Sequence, residues 1–461
     1  MKTKANRPKS KSKKISVDDG WQAINPHAAG VDLGAREHWA CVPAKSSPTP
    51  VRKFGTFTAD LEAMAQWFKE CGVTAVAMES TGVYWIPLFQ ILERAGLAVL
   101  LVNARQTKNV SGRKSDVLDC QWIQKLHTYG LLQASFRPAD PYCVLRTYLR
   151  YRDELVGFRS VQCQHLQKAL QEMNLQLAQV LSDVAGVSGL AIIQAILAGE
   201  RDRGKLAGMV SGRVRATRAE IERALVGDYR TEHLFVLQQA YDLHLIYAAK
   251  LQACDERIVA EAARLPQQVD VQLLPPPARK PGRRPSQDQM AGQDLRELLY
   301  GKFGVDLTGI EGIGVLTGLV LLTEVGPNLD RFPTEGHFAS WLGLCPDNRI
   351  SGGRVLSSRT RRVVNRVSDA LRMAAYTLER SQSALGGFCR RMKAKLGAAE
   401  GITATAHKLA RIIYAMIKHG AAYVRQGQEA AEKKFQENQL RRLKKMAKAA
   451  GMELTPIQSL A

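Results

Sequence analysis

The sequence has 461 residues, a formal net charge of +22 and a hydrophobic fraction of 45%. This length predicts two or three domains, and the hydrophobic fraction excludes a chain that is disordered throughout. The strong positive charge favours a nucleic-acid partner over a membrane surface, and no apolar run is long enough to span a bilayer.

The N-terminal residues 1–20 are rich in lysine and predict a disordered basic arm. They lead into no apolar segment of the kind found in signal peptides, so we expect the protein not to be secreted. The eight cysteines include no CxxC pair, and the nine histidines have no zinc-ligand spacing. Free thiols in a reducing cytoplasm are therefore expected.

Residues 28–138 show an alternating α/β pattern. Three short apolar segments predict a three-stranded meander, after which helices alternate with two nearly continuous apolar strands. This order is typical of the ribonuclease-H-like fold, although several other α/β folds share parts of it. The predicted strands are AGVDLG, HWACVP, VRKFGTF, VTAVAMES and LAVLLV, and the predicted helices are LEAMAQWFKECG, PLFQILERAG and SDVLDCQWIQKLH.

Four acids in this region are candidates for a metal site. Asp32 lies in the first predicted strand and Glu79 ends the fourth, where an apolar strand would not place a carboxylate without a partner or purpose. Asp116 and Asp119 are three residues apart in the last helix, so both project from one face. Four converging carboxylates would bind one or two Mg²⁺ ions, or Mn²⁺, through hard oxygen ligands. Each acid alone has an ordinary alternative as a turn residue, a strand-end charge or a first-turn acid favoured by the helix dipole.

Residues 140–263 are predicted to be mostly helical. Two stretches, 144–184 and 218–265, have apolar residues at helical spacing and predict an antiparallel helical arm. A coiled-coil dimer contact is one interpretation of this pattern, and ordinary core packing is the other. Residues 266–294 contain a proline triplet and a basic cluster, which predict a linker or insertion without a regular element.

A further domain is predicted over residues 295–425, followed by a charged tail over 426–461. Its segment LTGIEGIGVLTGLVLLTEVG predicts a helix end, a glycine hairpin and a second helix. Gly312 and Gly314 allow a tight turn whose N–H groups, at a helix N-terminus, suit a backbone phosphate. The segment resembles the helix-hairpin-helix motif of DNA binding, although glycine-rich corners also occur without ligands.

The stretch RISGGRVLSSRTRRVVNR contains six arginines and no acid. Gly352 and Gly353 permit unusual backbone angles and predict a flexible, strongly positive loop, in which a polyanion could approach Ser351 closely. Arginine binds phosphate oxygens two at a time, which predicts a phosphodiester site. The alternative is a glycine turn ahead of a solvated basic helix. The arginines are Arg349, Arg354, Arg359, Arg361, Arg362 and Arg366.

In combination and order, these motifs resemble the DEDD-type insertion-sequence transposases. The resemblance covers residues 28–138 and 297–420, and the Pro/Arg segment and the tail look like additions to the family pattern. It includes GVDLGAREHWACV, AMESTGVYWIPLFQILERAGLAVLLVN, KSDVLDCQWI, LTGIEGIGVLTGLVLLTEVG, WLGLCP and RISGGR.

The resemblance implies a RuvC-like, ribonuclease-H-fold domain joined to a mostly helical, serine-bearing transposase domain. It implies that Asp32, Glu79, Asp116 and Asp119 bind the metal and that Ser351 forms a covalent phosphoserine–DNA intermediate.

Partners are also implied by this resemblance. They are donor and target DNA, an element-encoded noncoding bridge RNA, and further copies of the chain in a dimer or tetramer, at the nucleoid of a prokaryote. Ser357, Ser358 and Ser368 are rival hydroxyls, so the assignment of Ser351 depends on its SGG context.

Two other functions remain open from the sequence. A structure-selective RuvC-like nuclease, such as a junction resolvase, would use the carboxylates and water without a covalent intermediate. A non-catalytic nucleic-acid-binding protein would keep the basic surfaces only, although the presence of all four acids argues against it. Whether Ser351 acts with the carboxylates of its own subunit or of another is also left open.

Overall fold

The computed structural model describes residues 22–80, 82–107, 116–276 and 288–453. The chain divides between Arg137 and Pro138 into two compact units. The N-terminal unit is a mixed α/β domain, and the C-terminal unit is mostly helical. The predicted basic arm of residues 1–20 and the basic cluster within residues 277–287 lie outside the described residues.

The N-terminal unit is built on one five-stranded sheet. Each predicted strand and helix is present, with ends shifted by at most three residues, and one short helix was not predicted. The elements are β1 Ala28–Leu33, β2 Glu37–Cys41, β3 Val51–Gly55, α1 Thr58–Glu70, β4 Ala75–Glu79, α2 Trp85–Arg94, β5 Ala98–Val102, the unpredicted α3 Ala104–Thr107, and α4 Asp116–Thr128.

The strand order is β3-β2-β1-β4-β5, so β1 and β4 are neighbours at the centre. The first three strands form an antiparallel meander, whereas β4 is parallel to β1 and β5 is parallel to β4. Between β1 and β4, the first residue pair is Ala28 with Ala75, and the last is Val31 with Met78. The carboxyl ends of β1, β4 and β5 therefore lie at one edge of the sheet.

The two faces of this sheet pack against different helices. Val31 and Met78 are fully buried in a core that includes Met64 and Phe68 of α1 and Leu88 of α2. Side chains alternate between faces along a strand. The opposite face, represented by Ala77, packs instead against Ile123 and Leu126 of α4.

The C-terminal unit begins with a long helical arm. Its elements are α5 Asp140–Glu172, α6 Leu177–Val180, α7 Val187–Leu197, α8 Arg203–Gly208, α9 Arg218–Ala224 and α10 Thr231–Arg264.

Helices α5 and α10 pair antiparallel within the chain. In the first half of α5, Arg152 pairs at 2.5 Å with Asp255 near the end of α10. At the end of α5, Glu172 lies 3.3 Å from His233 near the start of α10. The predicted bounds were wrong, because α5 ends at Glu172 and α10 begins at Thr231. The intervening residues 173–230, here called the arm tip, form four short helices around an apolar core that they share with the end of α5 and the start of α10. A dimeric coiled coil stays a prediction.

The rest of this unit consists mainly of helices, several of which pack against the long helix α16. Its elements are β6 Gln289–Met290, β7 Gln293–Asp294, α11 Leu295–Phe303, α12 Val315–Glu324, α13 Glu335–Trp341, β8 Arg349–Ser351, β9 Arg354–Ser357, α14 Arg366–Thr377, α15 Ala384–Leu396 and α16 Ala398–Ala449, with 3₁₀ turns at Val271–Leu273, Leu307–Gly309 and Leu378–Arg380.

Two predictions about this region need correction. The segment 266–294 does contain regular structure, namely the 3₁₀ turn at Val271–Leu273 and the small β6–β7 pair. The predicted boundary between residues 425 and 426 is not an element boundary, because α16 continues across it. The helix is interrupted earlier, at Gly420, whose φ of 85° lies in the left-handed region.

Candidate functional site

Asp32 and Glu79 lie side by side at the carboxyl ends of the two central strands. Val31 and Met78 are register partners on parallel β1 and β4, and Asp32 and Glu79 are the next residues of each strand. Since neighbouring strands are about 4.8 Å apart and side chains alternate, both carboxylates project from the face opposite Val31 and Met78. The predicted convergence of these two acids is therefore reproduced by the sheet.

Helix α4 covers this same face at very close range. Gly30, two residues before Asp32, has no side chain, and a Cβ built there would lie 2.2 Å from the backbone N of Gln124 and 2.6 Å from the carbonyl O of Cys120. The helix backbone thus rests directly on β1. Because Asp119 immediately precedes Cys120, its half-buried side chain belongs to the part of α4 nearest Asp32.

The electrostatics of two buried cysteines place the charge of Asp32 near α4. Cys41 pairs with Gly30 in the sheet, and its thiol interacts with that of Cys120, while each thiol donates its own hydrogen bond to a nearby backbone carbonyl. The interaction between the two thiols is the main reason that the pKa of Cys120 is raised, and burial and the negative charge of Asp32 raise it further. The same interaction lowers the pKa of Cys41. Asp32 therefore acts on the residue next to Asp119.

Glu79 is held by a residue that sequence reasoning missed. The buried hydroxyl of Thr107, the last residue of α3, donates to Oε1 of Glu79, and it also lies 3.0 Å from the carbonyl O of Ala104. The carbonyl of Thr107 in turn accepts a hydrogen bond of 3.2 Å from Nε1 of Trp122 on α4. No sequence motif singles out this threonine, since the contact joins residues 28 positions apart through an unpredicted helix.

For the fourth predicted ligand, Asp116, only the backbone is described. Helix α4 is described from Asp116 onward, and Asp116 and Asp119 are three residues apart on it. The side chain of Asp116 is outside the described part of the structure. Among the described side chains, no group of three or more histidine, cysteine, aspartate or glutamate residues could hold a metal ion.

The residues nevertheless fit a divalent cation in their chemistry. Mg²⁺ is usually held by one or two carboxylates and keeps several of its own waters, with substrate phosphates completing its coordination. Asp32 and Glu79 supply such a pair of oxygen donors on one face. Asp119, on the helix that covers that face, is the nearest further candidate.

Ser351 lies in a β-hairpin and not in the flexible loop that the sequence suggested. Strands β8 and β9 are joined by Gly352 and Gly353, whose φ angles of 56° and 76° are both left-handed, as a two-residue type I′ turn requires. Of the alternative, a glycine turn ahead of a solvated basic helix, the turn is present, but the arginines at 359, 361 and 362 are not helical because α14 does not begin until Arg366.

The hairpin presents Ser351 to solvent next to an arginine. Ser351 and Arg354 are cross-strand partners, so their side chains share one face, and both are exposed. Arg349 is two residues earlier on the same strand, but a register shift follows it and interrupts the alternation of side chains. Arg354 is therefore the better placed of the two predicted phosphate-binding arginines.

The rival serines differ in their accessibility. Ser368 is fully buried in α14, which keeps it from a polymeric substrate. Ser357 is half-buried, and its Oγ accepts a hydrogen bond of 3.4 Å from the backbone N of Arg359. Ser358 is exposed like Ser351 but lies outside the glycine turn.

The predicted arginines have different surroundings. Arg359, Arg361 and Arg362 are all exposed. Nη2 of Arg361 donates a hydrogen bond of 2.6 Å to the carbonyl O of Ser340. Arg366 is half-buried and pairs with Asp153 of α5 and, at 3.7 Å, with Glu324. Burial, together with the charge of the nearby Arg150, lowers the pKa of Arg366.

Glu324 is the centre of this ion-pair network. Its carboxylate is nearly buried and accepts from Nε and Nη2 of Arg150 at 2.9 and 2.7 Å. Arg146 lies 4.0 Å away on the same helix as Arg150. Arg366 is therefore part of the link between α5, α12 and α14, which distinguishes it from the exposed arginines.

The segment before α12 matches its prediction in part, because the glycine turn and the second helix are present but a 3₁₀ turn at Leu307–Gly309 replaces the predicted helix end. Gly312 adopts a left-handed φ of 85°, and a Cβ there would lie 3.1 Å from the carbonyl O of Ala374 on α14. Gly314 is the N-cap residue of α12, with open space around its Cα. These positions agree with the predicted turn at a helix N-terminus, while phosphate binding there stays a prediction.

No helix in the described ranges is long and apolar enough to cross a membrane.

Comparisons with known proteins point to one kind of protein. Residues 29–175 match the profile of the IS110-type DEDD transposases, and residues 306–388 match that of the transposases of the IS116/IS110/IS902 family. A protein of Streptomyces coelicolor described as an uncharacterized 43.6 kDa protein of insertion element IS110 is 29% identical over 119 residues. That similarity covers 25% of this chain and 29% of the relative, so most of both chains lies outside it. Because both profiles name the same kind of protein and match in successive parts of one chain, the chain belongs to the IS110 family of DEDD transposases.

Proposed function

We propose that the protein is a DNA transposase that cuts and rejoins DNA through a serine–phosphodiester intermediate. The N-terminal unit supplies a ribonuclease-H-like, RuvC-type site in which Asp32, Glu79, Asp116 and Asp119 bind a divalent metal ion. The C-terminal unit supplies Ser351 as the nucleophile. Membership of the transposase family supports the choice of DNA as the substrate.

The observation that best supports this function is the position of Asp32 and Glu79. Two carboxylates at corresponding positions of neighbouring strands repel each other, so a sheet gains no stability from placing them together. A divalent cation bound between them would remove that repulsion. The pair is thus better explained as half of a metal site than as two independent surface charges.

We assign Mg²⁺ to this site, with Mn²⁺ as a substitute, because all four assigned ligands are carboxylates. When bound, such an ion stabilises negative charge on the oxygens around phosphorus. Thr107 has the separate task of orienting Glu79 through its hydroxyl.

Strand cutting in this proposal forms one bond and breaks one. The Oγ of Ser351 attacks the phosphorus of a DNA phosphodiester, a P–Oγ ester bond forms, and the P–O bond to the departing sugar oxygen breaks. The serine hydroxyl gives its proton to a base, and the departing oxygen takes up a proton. No acid or histidine occurs between Asp347 and Asp369, so the base comes from outside the hairpin.

The ester explains why a transposase would use a serine. A second DNA hydroxyl can displace Ser351 from the phosphorus and rejoin the strand, with one P–O bond again formed and one broken. A hydrolytic nuclease releases a free phosphate end instead and loses the bond energy needed for rejoining.

The arginines of the hairpin bind the DNA backbone in this scheme. We assign Arg354 to the phosphate that Ser351 attacks, because the two side chains share one face of the hairpin. A charge-assisted contact of this kind contributes about 1–3 kcal/mol. Arg349 and the exposed arginines after β9 are assigned to the flanking phosphates.

We also propose that an element-encoded bridge RNA guides the reaction and that the active form is a homo-oligomer. The net charge of +22 is large for one DNA site and suits a protein that holds a second nucleic acid. Base pairing would then supply sequence specificity, while the protein binds backbone and duplex shape.

The test is the detection of a covalent protein–DNA adduct. Purified wild type, Ser351→Ala and Ser358→Ala proteins are incubated with donor DNA, target DNA, the element's noncoding RNA and Mg²⁺, and the products are separated under denaturing conditions. We expect an adduct with wild type and with Ser358→Ala, the exposed-serine control, and none with Ser351→Ala. Equal thermal unfolding of the three proteins excludes misfolding as the cause.

Two results would contradict the proposal in different ways. An adduct that persists in Ser351→Ala would refute the assignment of the nucleophile. Free DNA ends without an adduct in any of the three proteins would point instead to a junction-resolvase-like nuclease that uses water.

A further inference from the structure

The arm tip contains a cavity that neither unit's proposed chemistry uses. It has a volume of about 650 Å³ and lies between the turn that follows α5 and helix α9, with Gln176, Arg215 and Arg223 among its lining residues. This volume is within the usual range for pockets that bind small ligands.

The cavity is held open by backbone contacts. The N–H of Gln176 donates to the carbonyl of Ala224 at 2.8 Å, and the N–H of Asp228 donates to the carbonyl of Met173 at 2.9 Å. Asn174, between these contacts, adopts a left-handed φ of 56°, which is uncommon for a residue other than glycine. The turn is therefore fixed in a specific shape, so the cavity is preformed.

Two arginines in this cavity have no ion-pair partner among the described residues. Arg215 and Arg223 both line the cavity and are solvent-accessible. Other arginines nearby are paired, since Arg218 contacts Glu222 at 3.0 Å and Arg230 contacts Glu232 at 2.6 Å. Arg215 and Arg223 are thus available for an anion from outside the chain.

The remaining walls suit a flat, polar-edged group. Val180 and Val226 provide apolar surface, and the amides of Asn174, Gln176 and Gln179 provide donors and acceptors. Nε2 of Gln176 donates to Oδ1 of Asn174 at 2.8 Å, which leaves the other end of each amide for a ligand. A nucleobase has this combination of apolar faces and hydrogen-bonding edges.

The one acid in the cavity is already bonded within the chain. Glu220 accepts from the backbone N and the Oγ1 of Thr217 at 2.7 and 2.9 Å, in the cap of α9. Its carboxylate is therefore fixed by the helix cap. The charge of Arg223 also acts on this carboxylate, so Glu220 offsets one of the two positive charges and the cavity lining keeps a net positive charge.

The surrounding sequence favours a polyanion over a small free ligand. Between Arg201 and Arg218 the chain has six lysine or arginine residues and one acid, Asp202. A basic segment beside a cavity with apolar and amide walls matches the combination by which proteins bind unpaired nucleotides, in which cations hold the backbone while a pocket holds the base.

We propose that the arm tip binds single-stranded nucleic acid, with one unpaired base in this cavity and its phosphates on Arg215 and Arg223. The base must be unpaired, because a base inside a duplex cannot enter a pocket without leaving the stack. This proposal rests on the proposed function only in that the polymer is nucleic acid, and it does not depend on Ser351 or on the carboxylates.

The test uses the full chain and photoreactive single strands. Short oligonucleotides with one 4-thiouridine, in RNA, or one 4-thiothymidine, in DNA, are irradiated with the protein, and the crosslinked peptides are mapped by mass spectrometry. The same strands annealed to their complements form the duplex arm. We expect crosslinks within residues 173–230 from the single strands, and their loss in the duplexes.

Matched charge variants distinguish binding in the cavity from non-specific electrostatic attraction to the arm tip. Arg215→Ala with Arg223→Ala should lower the single-strand crosslink yield in the arm tip by about tenfold, as expected for the loss of two charge-assisted phosphate contacts. Arg203→Ala with Arg213→Ala removes the same charge from exposed positions outside the cavity lining and should lower it by less than about twofold. Val226→Glu places a negative charge on the exposed cavity wall and should also abolish the crosslinks while keeping both arginines.

The results divide clearly. Crosslinking in the arm tip by RNA, by DNA or by both supports the proposal and identifies the source of the nucleotide. Crosslinks only outside residues 173–230, equal losses in the two double variants, or equal crosslinking by duplexes would overturn it. Formation of a Ser351–DNA adduct is scored separately, so a failure of the proposed function does not decide this result.

Discussion

Gly30→Ala is expected to separate helix α4 from the sheet and so disrupt the candidate metal site. The new Cβ would lie 2.2 Å from the backbone N of Gln124 and 2.6 Å from the carbonyl O of Cys120. Those two atoms are the donor and acceptor of one helical hydrogen bond, so the methyl group would press on the helix backbone itself.

The size of the effect follows from these distances. Ordinary van der Waals contact begins near 3.4 Å, so α4 must move away from β1 by about 1.2 Å, or the strand must move by the same amount. Overpacking of this kind costs about 1–3 kcal/mol, and the upper end applies because no flexible side chain can give way. Asp119 moves with α4 while Asp32 stays with β1, and a displacement of about 1 Å at a catalytic group can cost roughly 10²-fold in rate.

Three assays measure the effects on stability, on metal binding and on the reaction with DNA. Urea unfolding gives the free energy of unfolding, which we expect to fall by about 2–3 kcal/mol. Competition calorimetry with Mn²⁺ gives the affinity of the carboxylate site independently of DNA, and we expect it to weaken. Adduct formation with DNA should fall by about two orders of magnitude at a temperature where the variant remains folded.

Gly157→Ala is the matched control. Gly157 lies within α5, and a Cβ there meets nothing within 4 Å, so the same substitution should raise the free energy of unfolding by about 0.5–1 kcal/mol through better helix propensity. If Gly30→Ala were as stable as wild type and bound Mn²⁺ equally well, the close packing of α4 on β1, and the site built on it, would be wrong.

Three further substitutions or conditions give separate tests. Thr107→Val removes the hydroxyl that orients Glu79 and should weaken Mn²⁺ binding about tenfold, whereas Thr107→Ser should restore it; equal affinity in both would show that the hydrogen bond does not position the carboxylate. Glu324→Gln should lower the free energy of unfolding by about 2–4 kcal/mol in urea, because three arginines would lose their shared carboxylate, and an unchanged value would exclude Glu324 as the centre of that network. Burial lowers the pKa of His127, so the folded state binds a proton less readily than the unfolded state. The contribution of His127 to stability is therefore complete above about pH 6.5 and is lost as the pH falls towards the lowered pKa of the folded state. His127→Gln should reduce this pH dependence of the free energy of unfolding.

The N-terminal sheet could be predicted because each element has a local signal. VTAVAMES and LAVLLV are nearly all apolar, as strands covered on both sides must be, and the glycine and polar residues between elements mark the turns. The acids at Asp32 and Glu79 stood out against those strands. Once the strand order is known, the register alone places them side by side.

Other features depend on contacts that local patterns do not contain. The arm was predicted as two long helices, but the apolar residues of 177–184 and 218–225 belong to short helices that pack on one another across the arm tip. Apolar residues have the same spacing in a long helix and in a short one, so the pattern cannot show where a long helix ends. Thr107 has no distinctive pattern either, since its importance comes from Glu79, 28 residues earlier.

The β-hairpin around Ser351 shows the structural role of its two glycines. In a type I′ turn both central residues need left-handed angles, which glycine adopts at little cost, so Gly352 and Gly353 fix the turn that the sequence left flexible. That turn places Arg354 directly across from Ser351, whereas a loose loop would leave the distance between them open. The side chains of Ile350 and Val355, on the opposite face, are 62% and 59% exposed, so the hairpin stands out from its own unit. In the proposed reaction, Ser351 therefore has a cation on its own face of the hairpin but no base in its own segment, so the base must come from outside residues 348–368.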